Sequence, residues 1–234
     1  DMLPYGKIAS ALRAAAAAGR VALVPFLTAG YPERGGVIDT LREVAAHGDV
    51  VEIGVPFTDP MADGVTIQRS SHAALASGVS LRWILDKLAA AKGIDAPLIL
   101  MSYLTPLLAY GFDALVSSAA KSGICGFIVP DLPYEESGEF RSALAAESLG
   151  MIQLVTPATP EDRLKKLCAA SQGFIYAVTV VGITGGSQDL SADLTDYLDR
   201  VKSCASIPVC AGFGVRSAEQ VVKLGAHADG VIVG

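Results

Sequence analysis

The chain has 234 residues, is 51% hydrophobic and 18% charged, and carries a formal net charge of -6. That balance offers no basic field to attract nucleic acid or an anionic membrane surface. Mean hydropathy is positive at +0.45, yet no apolar run reaches the roughly 18 residues a membrane helix needs.

An Ala-rich helix precedes the first strand. Short apolar, β-rich runs then recur at 21–28, 50–55, 97–103, 126–131, 151–156, 173–179, 207–214 and 230–234. Their near-continuous hydrophobicity is that of strands buried on both faces. Helical segments lie between them near 32–47, 79–92, 109–122, 134–148, 159–170, 192–204 and 216–226. Eight β units alternating with helices predict an α/β fold, a (β/α)₈ TIM barrel forming one domain over 1–234. The alternative, an open doubly wound sheet, lacks a GxGxxG after the first strand.

Two βα connections are long, 56–80 after the second strand and 180–192 after the sixth, and a helix is expected to begin after Gly64. In barrels the βα loops build the active-site face. The sequence ends at Gly234, directly after the eighth strand, so the eighth helix is expected to be absent and the barrel to read as truncated there. Cys125, Cys168, Cys204 and Cys210 show no CxxC spacing, and buried free thiols in a reducing compartment are expected. No secretory signal is read at the start. The expected location is the cytoplasm, or a plastid for a form that has lost a transit peptide.

Glu52 stands in an otherwise apolar strand, where an unpaired carboxylate is costly. Alternation places it with Val50 and Gly54 facing the barrel mouth, while Val51 and Ile53 face helices. A barrel-interior carboxylate satisfied by neighbouring groups is the structural alternative. Asp63 lies eleven residues on, in the long second loop. It reads equally as a carboxylate reaching over the mouth or as a helix cap, whereas Asp59 reads as a turn residue. Glycine-rich turns follow three adjacent strands: GITGG (182–186), AGFGVRS (211–217) and the terminal Gly234. Bare backbone amides at such turns hold phosphate. Tyr103 and Asp131 fall at strand C-termini, where barrel enzymes carry functional groups.

The segment VEIGVPFTDPMADGVTIQ (51–68) resembles the defining segment of the tryptophan synthase α subunit family. PFLTAGYP (25–32), MSYLTPLLAYG (101–111), VPDLPYEE (129–136), VGITGG (181–186) and AGFGVRS (211–217) follow in the family's order. The resemblance implies retro-aldol cleavage of indole-3-glycerol phosphate to indole and glyceraldehyde 3-phosphate, with no metal or organic cofactor. Glu52 and Asp63 match the two catalytic carboxylates. Glu52 would protonate the indole C3 and take the proton of the C3′ hydroxyl. Asp63 would accept a hydrogen bond from the indole N–H as the ring becomes positive.

By the same matching, Phe26, Leu100, Tyr103 and Leu132 line the indole slot, Asp131 belongs to the substrate site, and Gly185, Gly214 and Gly234 hold phosphate. Thr184 matches a Thr that contacts Asp63 when the loops close. Val65 and Met61 depart from the usual Pro and Leu, and Val180 and Val181 from positions often polar or basic. The resemblance also implies a pyridoxal-phosphate-dependent β subunit in an α₂β₂ complex. Two other readings share these residues: a free-standing lyase that releases indole, and a weakly catalytic subunit that activates a β partner.

Overall fold

A computed structural model describes residues 2–59, 63–179, 190–212 and 214–234. Its strands are β1 (Ala22–Thr28), β2 (Val51–Gly54), β3 (Leu98–Met101), β4 (Ile124–Ile128), β5 (Gly150–Met151), β6 (Gln153–Val155), β7 (Ile175–Val178), β8 (Val209–Gly212) and β9 (Gly230–Val233). All pair in parallel, in the order β5-β4-β3-β2-β1-β9-β8-β7-β6. β5 and β6 are separated only by Ile152, so the two ends of this sheet are halves of one strand. The eight expected β units therefore form a (β/α)₈ barrel.

The helices are α1 (Pro4–Ala17), α2 (Val37–His47), α3 (Val65–Ala76), α4 (Leu81–Ala90), α5 (Leu104–Tyr110), α6 (Phe112–Lys121), α7 (Gly138–Ala146), α8 (Glu161–Ala170), α9 (Ala192–Cys204) and α10 (Ala218–Gly225). Serine hydroxyls begin three of them: Ser80, Ser191 and Ser217 accept the N–H groups of Trp83, Leu194 and Gln220. Each satisfies a donor that the first helical turn leaves free. α3 starts after Gly64, as expected.

Several boundaries differ from the sequence reading, among them the strand expected at 126–131, which is Ile124–Ile128 and leaves Asp131 beyond its end. The strand expected at 97–103 stops at Met101, and the helix expected at 109–122 is two helices hinged at Gly111, whose φ is 86°. Tyr103 consequently precedes α5 instead of ending a strand. The interior of a residue run with helical spacing gives no hint of one left-handed residue, and glycine alone takes that conformation without strain.

Apolar side chains form three layers. β1 to β5 pack outward through Val51, Ile53, Leu98, Leu100 and Phe127 against α2 to α7. β6 to β9 do the same through Val155, Ile175, Ala177 and Val231 against α8 to α10. The barrel interior holds Val24, Val50, Ile99, Met101, Ile128, Tyr176 and Ile232, and α1 adds Ile8, Leu12 and Ala15 to it. α1 touches the amino-terminal ends of the strands, since a Cβ on Gly150 would meet Tyr5 and one on Gly173 would meet Ile8. The opposite, carboxyl-terminal end is left for a site. Cys125, Cys168 and Cys210 are buried thiols, while Cys204 is half-buried, more open than expected.

Candidate active site

β2 delivers Glu52 to the barrel interior. Its neighbours in register are Phe26 of β1 and Ile99 of β3, and Val51 and Ile53 face the helices, as alternation requires. The carboxyl is 2% exposed, and among the described residues its Oε2 has no hydrogen-bond partner. Burial, reinforced by the nearby Asp63 carboxylate, pushes the Glu52 carboxyl up to about 8. A solvated carboxylate would be ionised at neutral pH, but Glu52 holds its proton there.

Asp63 does not cap a helix. Gly64 occupies the N-cap position of α3, and the Asp63 Oδ2 instead accepts a hydrogen bond from the Tyr103 hydroxyl at 3.1 Å. Burial raises the Asp63 carboxyl above its ordinary value, and the Tyr103 hydrogen bond opposes that rise. Desolvation disfavours the charge, while a donor aimed at it restores part of what burial removes. Tyr103 is itself fixed by stacking on Phe57, with ring centroids 5.2 Å apart.

Two aromatic rings, Phe26 and Tyr176, pack in the barrel interior that Glu52 faces, and a glycine makes room for each. A Cβ on Gly54 would lie 2.4 Å from Cζ of Phe26, and one on Gly212 would lie 2.6 Å from the Tyr176 hydroxyl. Contacts that short do not occur, so each ring can lie across its strand only because the residue beneath lacks a side chain. Burial holds the Tyr176 hydroxyl well above its usual range, and the Glu52 and Asp63 charges add to this.

Phe26 and Tyr103 reach this region, but Leu100 and Leu132 do not. Leu100 is in register with Ile53 and packs with the outer layer, so β3 presents Met101 to the interior. Leu132 also packs outward and lines a cleft of about 320 Å³ with Met151, Gln153 and Leu167. Asp131 borders the same cleft and accepts the Leu104 N–H at 2.9 Å, which makes it a cap of α5. The matching by sequence missed Met101, Ile128, Tyr176 and Ile232. The register with β2, which sets Met101 beside Gly54, turns Met101 inward, and a register shift in the β3–β4 pair disturbs the count toward Ile128.

Gly214 has a φ of 66° just past β8, and a Cβ on Gly234, just past β9, would lie 3.9 Å from Cδ1 of Phe26. The two glycines thus flank the same end of the barrel. Thr184 and Gly185, with Met61, Val180 and Val181, lie outside the described residues.

A tryptophan synthase alpha chain family model matches residues 12–234. A tryptophan synthase alpha chain of Nitratidesulfovibrio vulgaris is 47% identical over 225 residues, 95% of this chain and 88% of that one. One from a Roseiflexus species is 43% identical over 220 residues, 93% of this chain and 84% of that one. A crystal structure of tryptophan synthase from M. tuberculosis superposes with a TM-score of 0.87 at 34% identity, covering 97% of this chain and 87% of that one.

Proposed function

This chain belongs to the tryptophan synthase alpha chain family, the lyase subunit that cleaves indole-3-glycerol phosphate, and we propose that Glu52 and Asp63 perform that cleavage here. The observation that carries this reading is the pairing of a buried carboxyl whose Oε2 has no hydrogen-bond partner among the described residues, Glu52, with a carboxylate held by a tyrosine hydroxyl, Asp63.

Indole is a poor carbanion, so the ring must be protonated at C3 before the bond to the glycerol chain can break. Neutral Glu52 supplies that proton and becomes a carboxylate. Positive charge then spreads onto the ring nitrogen, and Asp63 stabilises it by accepting the N–H hydrogen bond. The Glu52 carboxylate next removes the proton from the hydroxyl on the carbon attached to the ring. That carbon becomes the aldehyde of glyceraldehyde 3-phosphate, and the electron pair of the broken bond restores the indole. Glu52 ends protonated, ready for another turnover.

Phe26, Met101 and Tyr176 line the slot assigned to the indole ring, with Tyr103 at its edge. The phosphate is assigned to the backbone amides at Gly185, Gly214 and Gly234, supported by the positions of the last two past β8 and β9. Residues 1–234 are read as one barrel domain.

The family implies a β subunit partner. An α₂β₂ complex, docking through the carboxyl-terminal face of the barrel, is our reading. It is supported by Tyr31 after β1, Val65 at the start of α3 and Leu108 in α5, which are 47%, 63% and 57% exposed. Exposed large apolar groups are what a partner covers. No helix among the described residues is long and apolar enough to cross a membrane, and a cytoplasmic setting is assigned with the bacterial relatives.

The test is the pH profile of kcat/KM for indole release, which reports the ionisations of the free enzyme. Activity should fall as pH rises through about 8, because the donor must start protonated. A profile with no alkaline loss would remove Glu52 as the proton donor.

A further inference from the structure

We propose that Ser71 is a positioning residue for the Asp63 carboxylate, acting through Phe57 and Tyr103. The inference rests on the catalytic reading of Asp63 given above.

Ser71 lies on α3, is 4% exposed, and spends its hydroxyl entirely on one residue of the loop after β2. Its Oγ accepts the Phe57 N–H at 2.8 Å and donates to the Phe57 carbonyl at 3.1 Å. A side chain that bonds both the N–H and the carbonyl of one loop residue holds the two peptide units flanking its Cα, and so restrains the direction in which its side chain leaves. The ring that Phe57 carries stacks on Tyr103 at an interplanar angle of 22°, and the Tyr103 hydroxyl reaches Asp63. The path from Ser71 to the carboxylate therefore runs through one clamp, one stack and one hydrogen bond.

α3 holds both ends of this loop. Gln68 Nε2 donates to the Asp63 carbonyl at 2.9 Å, and the His72 ring lies 3.3 Å from the Thr58 carbonyl. Phe57, Thr58 and Asp63 are thus each tied to α3. Ser71 is the member of the set whose contact leads to the Asp63 side chain, whereas Gln68 holds its backbone.

The groups facing the Asp63 carboxyl are Glu52 from β2, Tyr103 before α5 and Tyr176 from β7. Of these, Tyr103 alone donates to it among the described contacts, so loosening Tyr103 weakens an influence that favours its charge.

The experiment compares Ser71→Ala with wild type, Asp63→Asn and Phe57→Leu. Ser71→Ala should lower kcat roughly three- to tenfold, as the loss of one or two neutral hydrogen bonds allows, and leave KM within about twofold. The acid limb of its kcat/KM profile should move upward, because Asp63 takes up its proton more readily once Tyr103 is loosened. The substrate's own phosphate ionisation is common to all variants and drops out of that comparison. Phe57→Leu removes the stack and leaves the clamp; it should shift the same limb, and the double variant should lose less than the product of the two single losses. Should Ser71→Ala fail to fold, Phe57→Leu carries the same test.

If Asp63→Asn is impaired while Ser71→Ala, or Phe57→Leu in its place, melts lower with an unchanged kcat and acid limb, the positioning role is overturned and the catalytic reading stands. If Asp63→Asn keeps the wild-type rate, the catalytic reading fails, and the role of Ser71 fails with it.

Discussion

The Tyr103 hydroxyl donates to Oδ2 of Asp63 at 3.1 Å across forty residues of sequence, joining the residue before α5 to the loop after β2. A hydrogen bond to an ionised group is worth about 1.5–3 kcal/mol, and each ~1.4 kcal/mol of barrier is tenfold in rate. Tyr103→Phe keeps the ring and its stack on Phe57 but removes the donor. We expect kcat for indole release to fall roughly 10- to 100-fold, with KM changed little and the acid limb of the kcat/KM profile displaced upward. An unaltered kcat would show that Asp63 acts without this bond.

Glu52 predicts a conflict between activity and stability. Its folded-state carboxyl, near 8, lies above the ordinary value of 4.5, so the folded protein binds a proton there that the unfolded chain has released. Stability contributed at this site is present at low pH and declines between those two values as the carboxyl is forced to ionise in a buried setting. Gln has the same shape and does not titrate. Glu52→Gln should therefore melt higher than wild type, by a margin that grows from about pH 5 to about pH 8 and then levels off. Thermal melts across that window test this; a constant margin would show that Glu52 is ionised throughout.

Neighbouring residues on β3 separate fold from site. Leu100 is wholly buried in the outer layer, and Met101 faces the interior beside the slot. Leu100→Ala should lose about 2–5 kcal/mol of stability by opening a cavity, with KM for indole-3-glycerol phosphate unaffected in the folded fraction. Met101→Ala should raise KM several-fold, since Met101 walls the slot. Urea melts paired with kinetics decide the matter, and the reverse pattern would turn the strand over.

Much of this was legible in the residues because it depended on local alternation. Eight apolar runs separated by helical spacing specify a barrel, and a carboxylate inside the second run stands out because burying it is costly. Asp63 is ambiguous in sequence because Asp caps helices as readily as it does chemistry; the structure removes the cap reading, since Gly64 takes that position and Asp63 accepts from Tyr103. The inward face of β3 was hidden for a different reason. A strand buried on both sides is apolar at every position, so LILM carries no alternation to say whether Leu100 or Met101 faces the axis. Asp131 followed the family matching, but its carboxylate is spent on the Leu104 N–H, a contact 27 residues away that no local pattern predicts. Ser71 was similarly invisible, because its contact is with the backbone of Phe57, fourteen residues back.

The central claim is that two carboxyl groups divide the work: Glu52 moves protons and Asp63 holds charge in the transition state. The most direct measurement is steady-state indole release from indole-3-glycerol phosphate by Glu52→Gln and Asp63→Asn, both shown by circular dichroism to be folded. Glu52→Gln should be essentially inactive, because an amide cannot carry a proton between the hydroxyl and C3. Asp63→Asn should keep KM within a few-fold and lose about 10²–10³ in kcat, as expected when an interaction made chiefly in the transition state is removed. A Glu52→Gln variant retaining more than about a tenth of the wild-type rate, a barrier change under ~1.4 kcal/mol, would contradict the account, as would an Asp63→Asn variant that raised KM and spared kcat.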